Sequence, residues 1–164
     1  MKPGAALVTG AGARVGRAMA EALGADGWFV GVHYRGSKAG AAETCDAIRK
    51  AGGRAEPIAC DLSDETARGG LVAQAAKLAG QPVTLLVNSA STFADDTATD
   101  HSRADWDHHF EPNLRAPIHL AQQLARALPA REKGLVVNAS DLYWSYGSSL
   151  DAGGNDKPFG LFNL

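Results

Sequence analysis

Short apolar runs alternate with amphipathic segments along the first 138 residues of the chain. Nearly continuous apolar runs are typical of strands that are buried on both faces of a parallel sheet. The amphipathic segments between them are typical of helices that cover such a sheet. The pattern predicts five strands, at Ala5–Thr9, Trp28–His33, Ala55–Ala59, Val83–Val87 and Leu135–Asn138.

Three of the intervening segments show apolar residues that repeat on one helical face. Ser63 is expected to cap the second helix, with Asp64 and Glu65 in its first turn. Pro117 predicts a kink in the third helix because proline removes one backbone hydrogen bond. The expected buried faces are Val15, Met19, Ala22 and Leu23 in the first helix, Leu71, Ala75 and Leu78 in the second, and Leu114, Ile118, Ala121, Leu124 and Leu128 in the third.

The pattern changes after Ser140. Residues 141–164 contain four glycines, three serines and several aromatics, with neither helical nor strand periodicity. We therefore expect a folded unit of residues 1–141 and an atypical segment of residues 142–164. The segment is either a frayed tail or the result of a sequence cut or shifted in frame, since disordered tails rarely carry this many aromatics.

The composition of the 164 residues, 45% hydrophobic and 21% charged, is that of a soluble globular domain. A net charge of -2 indicates neither nucleic acid nor an anionic membrane as partner, which leaves small molecules or other protein chains. No leader-like apolar region opens the chain and no apolar stretch approaches the roughly 20 residues of a membrane span, so we expect a cytoplasmic protein. Cys45 and Cys60 are expected to be free thiols, and His101, His108 and His109 lack metal-ligand spacing, so no metal is expected.

A glycine-rich stretch, TGAGARVG at Thr9–Gly16, follows the first strand and opens the first helix. Glycines at such a turn let the backbone approach a pyrophosphate, and the helix N-terminus offers it free N–H groups. This predicts a dinucleotide site with contacts from Gly10, Arg14, Val15 and Gly16. Arg14 stands where many such folds have glycine, either beside the phosphates or as a solvated arginine on the helix face.

The end of the second strand reads His33-Tyr34-Arg35-Gly36-Ser37, without the acid that would bind a ribose 2′-hydroxyl. An arginine binds a 2′-phosphate through two parallel hydrogen bonds, and a serine hydroxyl adds a third. The expected cofactor is therefore NADP(H).

Five motifs, which follow one another along the chain in the same order as in that family, resemble the short-chain dehydrogenase/reductase family. Within the family, they are most similar to the pteridine reductases. The resemblance covers about residues 5–141 and implies an α/β fold, a Rossmann-type doubly wound parallel sheet with strand order 3-2-1-4-5 that is incomplete at its C-terminal side. The motifs are TGAGARVG, HYRGS, Asp61-Leu62, Asn88-Ser89-Ala90-Ser91 and Asn113-Leu114-Arg115-Ala116-Pro117.

The resemblance also implies roles for single residues on the cofactor side. Asp61 and Leu62 correspond to the pair that meets the adenine. Asn88, Ser89 and Ala90 correspond to the turn that closes the fourth strand and lines the nicotinamide ribose.

On the substrate side, Ser91 and Phe93 match the serine and aromatic that pteridine reductases place against the pterin, and Arg14 also reaches substrate there. Ordinary loop packing is an equal alternative for Phe93. Asn113 matches a helix asparagine that binds a catalytic water. Asp141 stands at the family's catalytic serine position, where it could orient a pterin or take part in proton delivery.

The family's catalytic Tyr-x-x-x-Lys pair has no counterpart, since Gly154 and Pro158 stand at the corresponding positions. Three functions therefore remain open: an NADPH-dependent reductase of a pterin or dihydropterin, a carbonyl reductase of the 3-oxoacyl type, and a catalytically inactive NADP(H)-binding fragment or pseudoenzyme. A homo-oligomer is expected in each case.

Overall fold

The computed structural model of the chain describes residues 2–94, 99 and 101–139, and in addition the backbone of two short strands at 143–144 and 161–162. The strands are β1 (Ala5–Val8), β2 (Phe29–Tyr34), β3 (Arg54–Ala59), β4 (Val83–Asn88), β5 (Leu135–Asn138), β6 (Tyr143–Trp144) and β7 (Leu161–Phe162). The helices are α1 (Arg14–Ala25), α2 (Lys38–Lys50), α3 (Glu65–Arg68), α4 (Leu71–Ala79), α5 (Arg103–Phe110) and α6 (Ala116–Ala127), with a π-helical turn at Glu111–Arg115 between α5 and α6.

Five strands form one sheet in the order β3-β2-β1-β4-β5, and all four pairings are parallel. This confirms the predicted fold class and strand order. Four residues of β1 are fully buried because helices cover both of its faces, which explains its continuous apolar sequence. Leu7 and its neighbours pack towards α4 and α6, whereas Val8 and its neighbours pack in a second cluster that includes residues of α1 and α2.

The predicted buried faces of the helices are wrong in part. Val15, Leu78, Leu114 and Ile118 are all more than 40% exposed. In α1 the buried positions are instead small, Gly16, Ala20 and Gly24, because this helix lies so close to the sheet and α2 that a β-carbon on Gly24 would contact the side chain of Ile48. In α6 the buried positions are Ala116, Leu120 and Leu124.

The predicted helix boundaries after β3 also need correction. Asp64 caps the short helix α3 by accepting hydrogen bonds from the N–H groups of Thr66 and Ala67, so Ser63 is not the cap. Gly69 and Gly70 then separate α3 from α4. The irregularity expected at Pro117 lies just before it, in the π-helical turn, where the N–H of Ala116 donates to the carbonyl of Glu111.

The two edges of the sheet differ in character. Edge strand β3 contains Pro57 and charged Arg54 and Glu56. Edge strand β5 is apolar, pairs with β4, and pairs with no further strand among the described residues; its Leu135 is 48% exposed. Strands β6 and β7 pair with each other in an antiparallel ribbon. Within the described part of the chain, no helix is both long and apolar enough to span a bilayer.

Candidate functional site

A cavity of about 520 Å³ opens at the carboxyl ends of the parallel strands, where ligands bind in open α/β sheets. It brings together most of the residues that the motifs single out, although they come from four separate parts of the chain. Its walls are formed by Gly10, Gly12, Ala13, Arg14, Val15, Gly16, His33, Tyr34, Arg35, Gly36, Ser37, Asp61, Leu62, Ser89, Ala90, Ser91, Thr92, Pro112 and Ala139.

The glycine turn between β1 and α1 is closely packed. Gly10 has a positive φ of 66°, and a β-carbon there would lie 2.7 Å from the α-carbon of Ala90. A β-carbon on Gly16 would collide with the carbonyl oxygen of Gly10. The N-cap residue Ala13 has no side-chain hydrogen bond and the first turn of α1 has no acid, so this helix N-terminus can accept an anion.

Arg14 adopts a backbone conformation that favours glycine. Its φ is 52°, which costs a residue with a β-carbon on the order of 1 kcal/mol. The structure places this strained arginine on the cavity wall. This explains why glycine is common at this position in such turns.

His33 is almost fully buried, with 1% of its surface exposed. The Gly10 N–H donates to its Nδ1 at 3.2 Å, and its Nε2 lies 3.1 Å from the carbonyl oxygen of Cys60. Burial is the main cause that lowers the pKa of His33 to about 4, against the raising effects of the Cys60 carbonyl and the Asp61 charge. The ring therefore lines the cavity as a neutral group with both nitrogens engaged inside the protein.

The end of β2 leads directly into α2 along the cavity wall. Tyr34, Arg35 and Ser37 all line the cavity. The Ser37 side chain makes no capping hydrogen bond, and the first turn of α2 contains no acid. The buried Thr44 hydroxyl, 3.0 Å from the carbonyl of Ala11, ties α2 to the glycine turn.

The Asp61-Leu62 pair lies at the end of β3 and also lines the cavity. One carboxylate oxygen of Asp61 accepts the Ser63 N–H at 2.9 Å. The carbonyl of Leu62 accepts a hydrogen bond from Arg68, a fully buried arginine whose guanidinium also pairs with Glu111 at 2.9 Å. This segment is thereby anchored to the π-helical turn.

The turn after β4 is held by a hydroxyl on β1. Thr9 Oγ1 accepts the N–H groups of both Ser89 and Ala90 at 3.0 Å, and these two residues line the cavity. Asn88 does not line it: this residue is buried, and its amide donates to the side chain of Asn138 on β5. Its place in the structure is between the two strands.

Asn113 also does not line the cavity. Its side-chain oxygen accepts the Thr92 N–H at 2.9 Å and its amide nitrogen donates to the Thr92 carbonyl at 2.7 Å. The side chain thus holds the loop after β4, while the water-binding role expected for Asn113 stays a prediction.

The residues expected on the substrate side are only partly brought together. Ser91 lines the cavity, whereas Phe93 is 50% exposed in the same loop, with its ring 6.2 Å from that of His109. Asp141 lies outside the described residues. His109 is buried, whereas His101 and His108 are exposed. No group of three potential metal ligands occurs in the described part of the chain.

Sequence reasoning missed several residues that shape this site. Thr9 was visible as the one hydroxyl at the end of β1, and Pro112 directly precedes a motif residue. Arg68 gave no signal, because an arginine in a polar segment usually lies on the surface.

Comparisons with known proteins show the family to which the chain belongs. A family model described as short chain dehydrogenase matches residues 4–148. Ketoacyl reductase HetN of Nostoc sp. (strain PCC 7120) is 32% identical over 146 residues, which are 89% of this chain and 50% of that protein. The chain thus spans about half the length of the curated relatives it matches.

Solved structures show the same similarity. FolM alternative dihydrofolate reductase 1 from Brucella canis, complexed with NADP, superposes with a TM-score of 0.80 at 36% identity, over 86% of this chain and 55% of that one. The landomycin C-6 ketoreductase LanV with bound NADP and rabelomycin superposes with a TM-score of 0.73 at 32% identity, over 84% of this chain and 57% of that one.

Proposed function

The chain belongs to the short-chain dehydrogenase family, and from that membership we propose that its residues 1–141 are the nucleotide-binding unit of an NADPH-dependent reductase. The proposed hydride acceptor is a C=N bond of a pterin or dihydropterin, and residues 142–164 are a separate segment. Because the chain spans about half of its relatives, the activity, substrate and partners of the whole protein are part of this proposal.

The residues at the end of β2 support the choice of NADP(H) over NAD(H). Arg35 and Ser37 line the cavity with no carboxylate between Tyr34 and α2, and the N-terminus of α2 is free of acids and of a side-chain cap. A 2′-phosphate at this place would bind the guanidinium through two hydrogen bonds and would complement the helix dipole.

The glycine turn fits the pyrophosphate of the same cofactor. The N-terminus of α1 lacks a side-chain cap and an acid, and Arg14 adds a positive charge to the wall. When bound, NADPH supplies the hydride. Arg14 and the α1 N–H groups would hold its phosphates, Asp61 and Leu62 would meet the adenine, and Ser89 and Ala90 would line the second ribose.

The pterin is supported by the residues on the other wall. Ser91 lines the cavity and Phe93 offers a half-exposed ring two residues further on, which suits a flat heterocycle. The likeness to an alternative dihydrofolate reductase points the same way. In this proposal Asp141 orients the pterin or moves a proton to it.

Fluorescence titration with NADPH and NADH tests the cofactor. We expect NADPH to bind at least about tenfold tighter, or 1.4 kcal/mol, and Arg35→Asp to erase that preference. Arg126→Asp, the same change of charge on the exposed side of α6, should leave it intact. If the unmodified chain bound both nucleotides with equal affinity, the end of β2 would not be a binding site for the 2′-phosphate.

A carbonyl reductase is the second candidate, favoured by the similarity to a ketoacyl reductase and to a ketoreductase. Binding of a dihydropterin and of a 3-oxoacyl thioester to the NADPH complex separates the two. With Gly154 and Pro158 in place of the catalytic pair, this chain should turn over either substrate well below about 1 per second. Turnover at or above that rate would show that another residue donates the proton.

Self-association is proposed from the apolar edge of β5. Unpaired N–H and C=O groups on such a strand favour pairing with another chain. Leu135→Lys should lower the mass measured by sedimentation, whereas Leu78→Lys, at a similarly exposed leucine on α4, should not. A monomeric unmodified chain would contradict this proposal.

A further inference from the structure

Gly10 is confined from three sides at the centre of the glycine turn. Its α-carbon packs against Ala90, its carbonyl lies directly under Gly16, and its N–H donates to the ring of His33. The first two contacts are steric and limit where the residue can go. The hydrogen bond is directional, so it also determines how the peptide plane between Thr9 and Gly10 is rotated.

The two bonds of His33 determine the tautomer of the ring. A backbone N–H can only donate, so Nδ1 must be the unprotonated acceptor for Gly10. Nε2 then carries the proton and donates it to the carbonyl of Cys60. One neutral ring thereby links the ends of three adjacent strands: β1 through Gly10, β2 through its own backbone, and β3 through Cys60.

We propose that His33 is a positioning residue for the cofactor: its Nδ1 holds the Gly10 N–H and so keeps the glycine turn in the shape that receives the phosphates. The inference rests on the nucleotide site proposed above and gives His33 a task different from direct contact with the ligand. Without the acceptor, the N–H of Gly10 loses the hydrogen bond that orients its peptide, although the N–H of Ala11 still donates to the backbone carbonyl of His33, and the first peptide of the turn must be ordered again when a nucleotide binds.

The surroundings of His33 support a task inside the protein. Gly31 lies on the same face of β2 as His33, two residues before it. This face of the sheet is covered by apolar residues of α4, including Leu71 and Ala75. Asp61, whose charge acts on the ring, lines the cavity, and so do Arg14 and Arg35. Because both ring nitrogens already have partners in the protein, the ring has no free donor or acceptor for a ligand.

Two amide variants separate the two bonds. The side-chain amide of His33→Asn reaches the position of Nδ1, so it can still accept from Gly10. The longer side chain of His33→Gln reaches the position of Nε2, so it can still donate to Cys60 but not accept from Gly10. Both remove the imidazole and differ by one methylene, which makes them matched controls for general loss of packing.

The experiment measures NADPH affinity and amide hydrogen exchange of Gly10 at neutral pH, at a temperature where every variant is folded. We expect His33→Gln to lose on the order of tenfold in affinity and to exchange Gly10 faster. His33→Asn should recover most of the affinity and the protection. His108→Gln, at an exposed histidine of α5, should change neither.

Equal losses in both His33 variants, or no loss in either, would overturn the assignment of Nδ1 as the positioning group. Failure of the unmodified chain to bind NADPH would instead overturn the proposed function. Gly10 exchange is measured without nucleotide, so it shows separately whether His33 holds the turn.

Discussion

Two walls of the same cavity are built in different ways. The cofactor wall, residues 10–16, 33–37 and 61–62, is tied together by buried polar contacts: His33 to Gly10 and Cys60, and Thr44 to Ala11. The substrate wall consists of Ser91, Thr92, Pro112 and Ala139, with Phe93 beside it, and its loop is held by the two hydrogen bonds between the Asn113 side chain and the backbone of Thr92. Its Phe93 is half exposed, and its proposed partner Asp141 lies outside the described residues.

The difference shows where specificity for each ligand is encoded. A site for a phosphate can be made from a short turn and a helix N-terminus, so it is local in sequence. A site for a substrate is assembled from several loops. Variants on the cofactor wall should therefore change nucleotide binding or stability, and variants on the substrate wall should change substrate binding alone.

The largest effect is expected from the buried imidazole of the cofactor wall. The pKa of His33 is lowered to about 4, below the 6.5 of an unfolded chain, so acid favours the unfolded state. Its contribution to the free energy of unfolding should be complete above pH 6.5 and should fall by on the order of 3 kcal/mol as the pH is lowered to about 4.

Denaturant unfolding across that pH range measures this loss. His33→Asn should remove this part of the pH dependence, while His108→Gln should keep it. An unchanged profile in His33→Asn would mean that other groups cause the loss of stability in acid.

The next effect concerns the close contact between Gly16 and the carbonyl of Gly10 in the glycine turn. Gly16→Ala should lower NADPH affinity although alanine favours a helix, because its β-carbon would collide with the Gly10 carbonyl. Overpacking of this kind costs about 1–3 kcal/mol, or about fivefold to more than hundredfold in affinity. Gly36→Ala, on the same wall with nothing within 4 Å, is the matched control and should bind normally. Titration of both variants with NADPH measures the difference in affinity. Equal affinities of the two variants for NADPH would argue against a rigid glycine turn.

A smaller effect should separate stability from binding at Arg14. Both Arg14→Gly and Arg14→Ala remove the guanidinium and should weaken NADPH binding. Only glycine relieves the strain at a φ of 52°, so it should be more stable than the alanine variant by about 1 kcal/mol. Thermal unfolding compares the two, and an alanine variant as stable as the glycine variant would show that the backbone there is unstrained.

The smallest effect is expected on the substrate wall. Phe93→Ala should weaken binding of a dihydropterin to the NADPH complex by about two- to tenfold, through loss of ring stacking worth 0.5–1.5 kcal/mol. Phe93→Leu keeps an apolar side chain without the aromatic ring and should show a similar loss. NADPH affinity should stay the same in both, and calorimetry measures it directly. A fall in nucleotide affinity would mean that the walls are not independent.

The sheet could be predicted from the sequence because its evidence is local. Four of the five strands are short, mainly apolar runs, and the structure places all five within one residue of their predicted ends. The strand Ala5–Val8 needs helices on both faces, so its composition already indicates its environment.

The helix faces were harder to predict, because an apolar period does not show which face meets the sheet. Val15 fits the period of α1, yet the helix turns Gly16 and Ala20 inward because close approach needs small residues. The structural roles of Arg68 and His33 could not be predicted for a different reason. Their tasks depend on Glu111 and Cys60, partners brought near only by the fold.

Binding of two adenosine nucleotides tests most directly whether the cofactor wall alone selects NADP(H). Adenosine 2′,5′-bisphosphate and adenosine 5′-monophosphate differ by the 2′-phosphate, and neither reaches the substrate wall. The bisphosphate is expected to bind at least about tenfold tighter, and Arg35→Asp is expected to abolish that difference while the monophosphate still binds. Equal affinity of the unmodified chain for the two nucleotides would contradict the claim that Arg35 and Ser37 form a 2′-phosphate site.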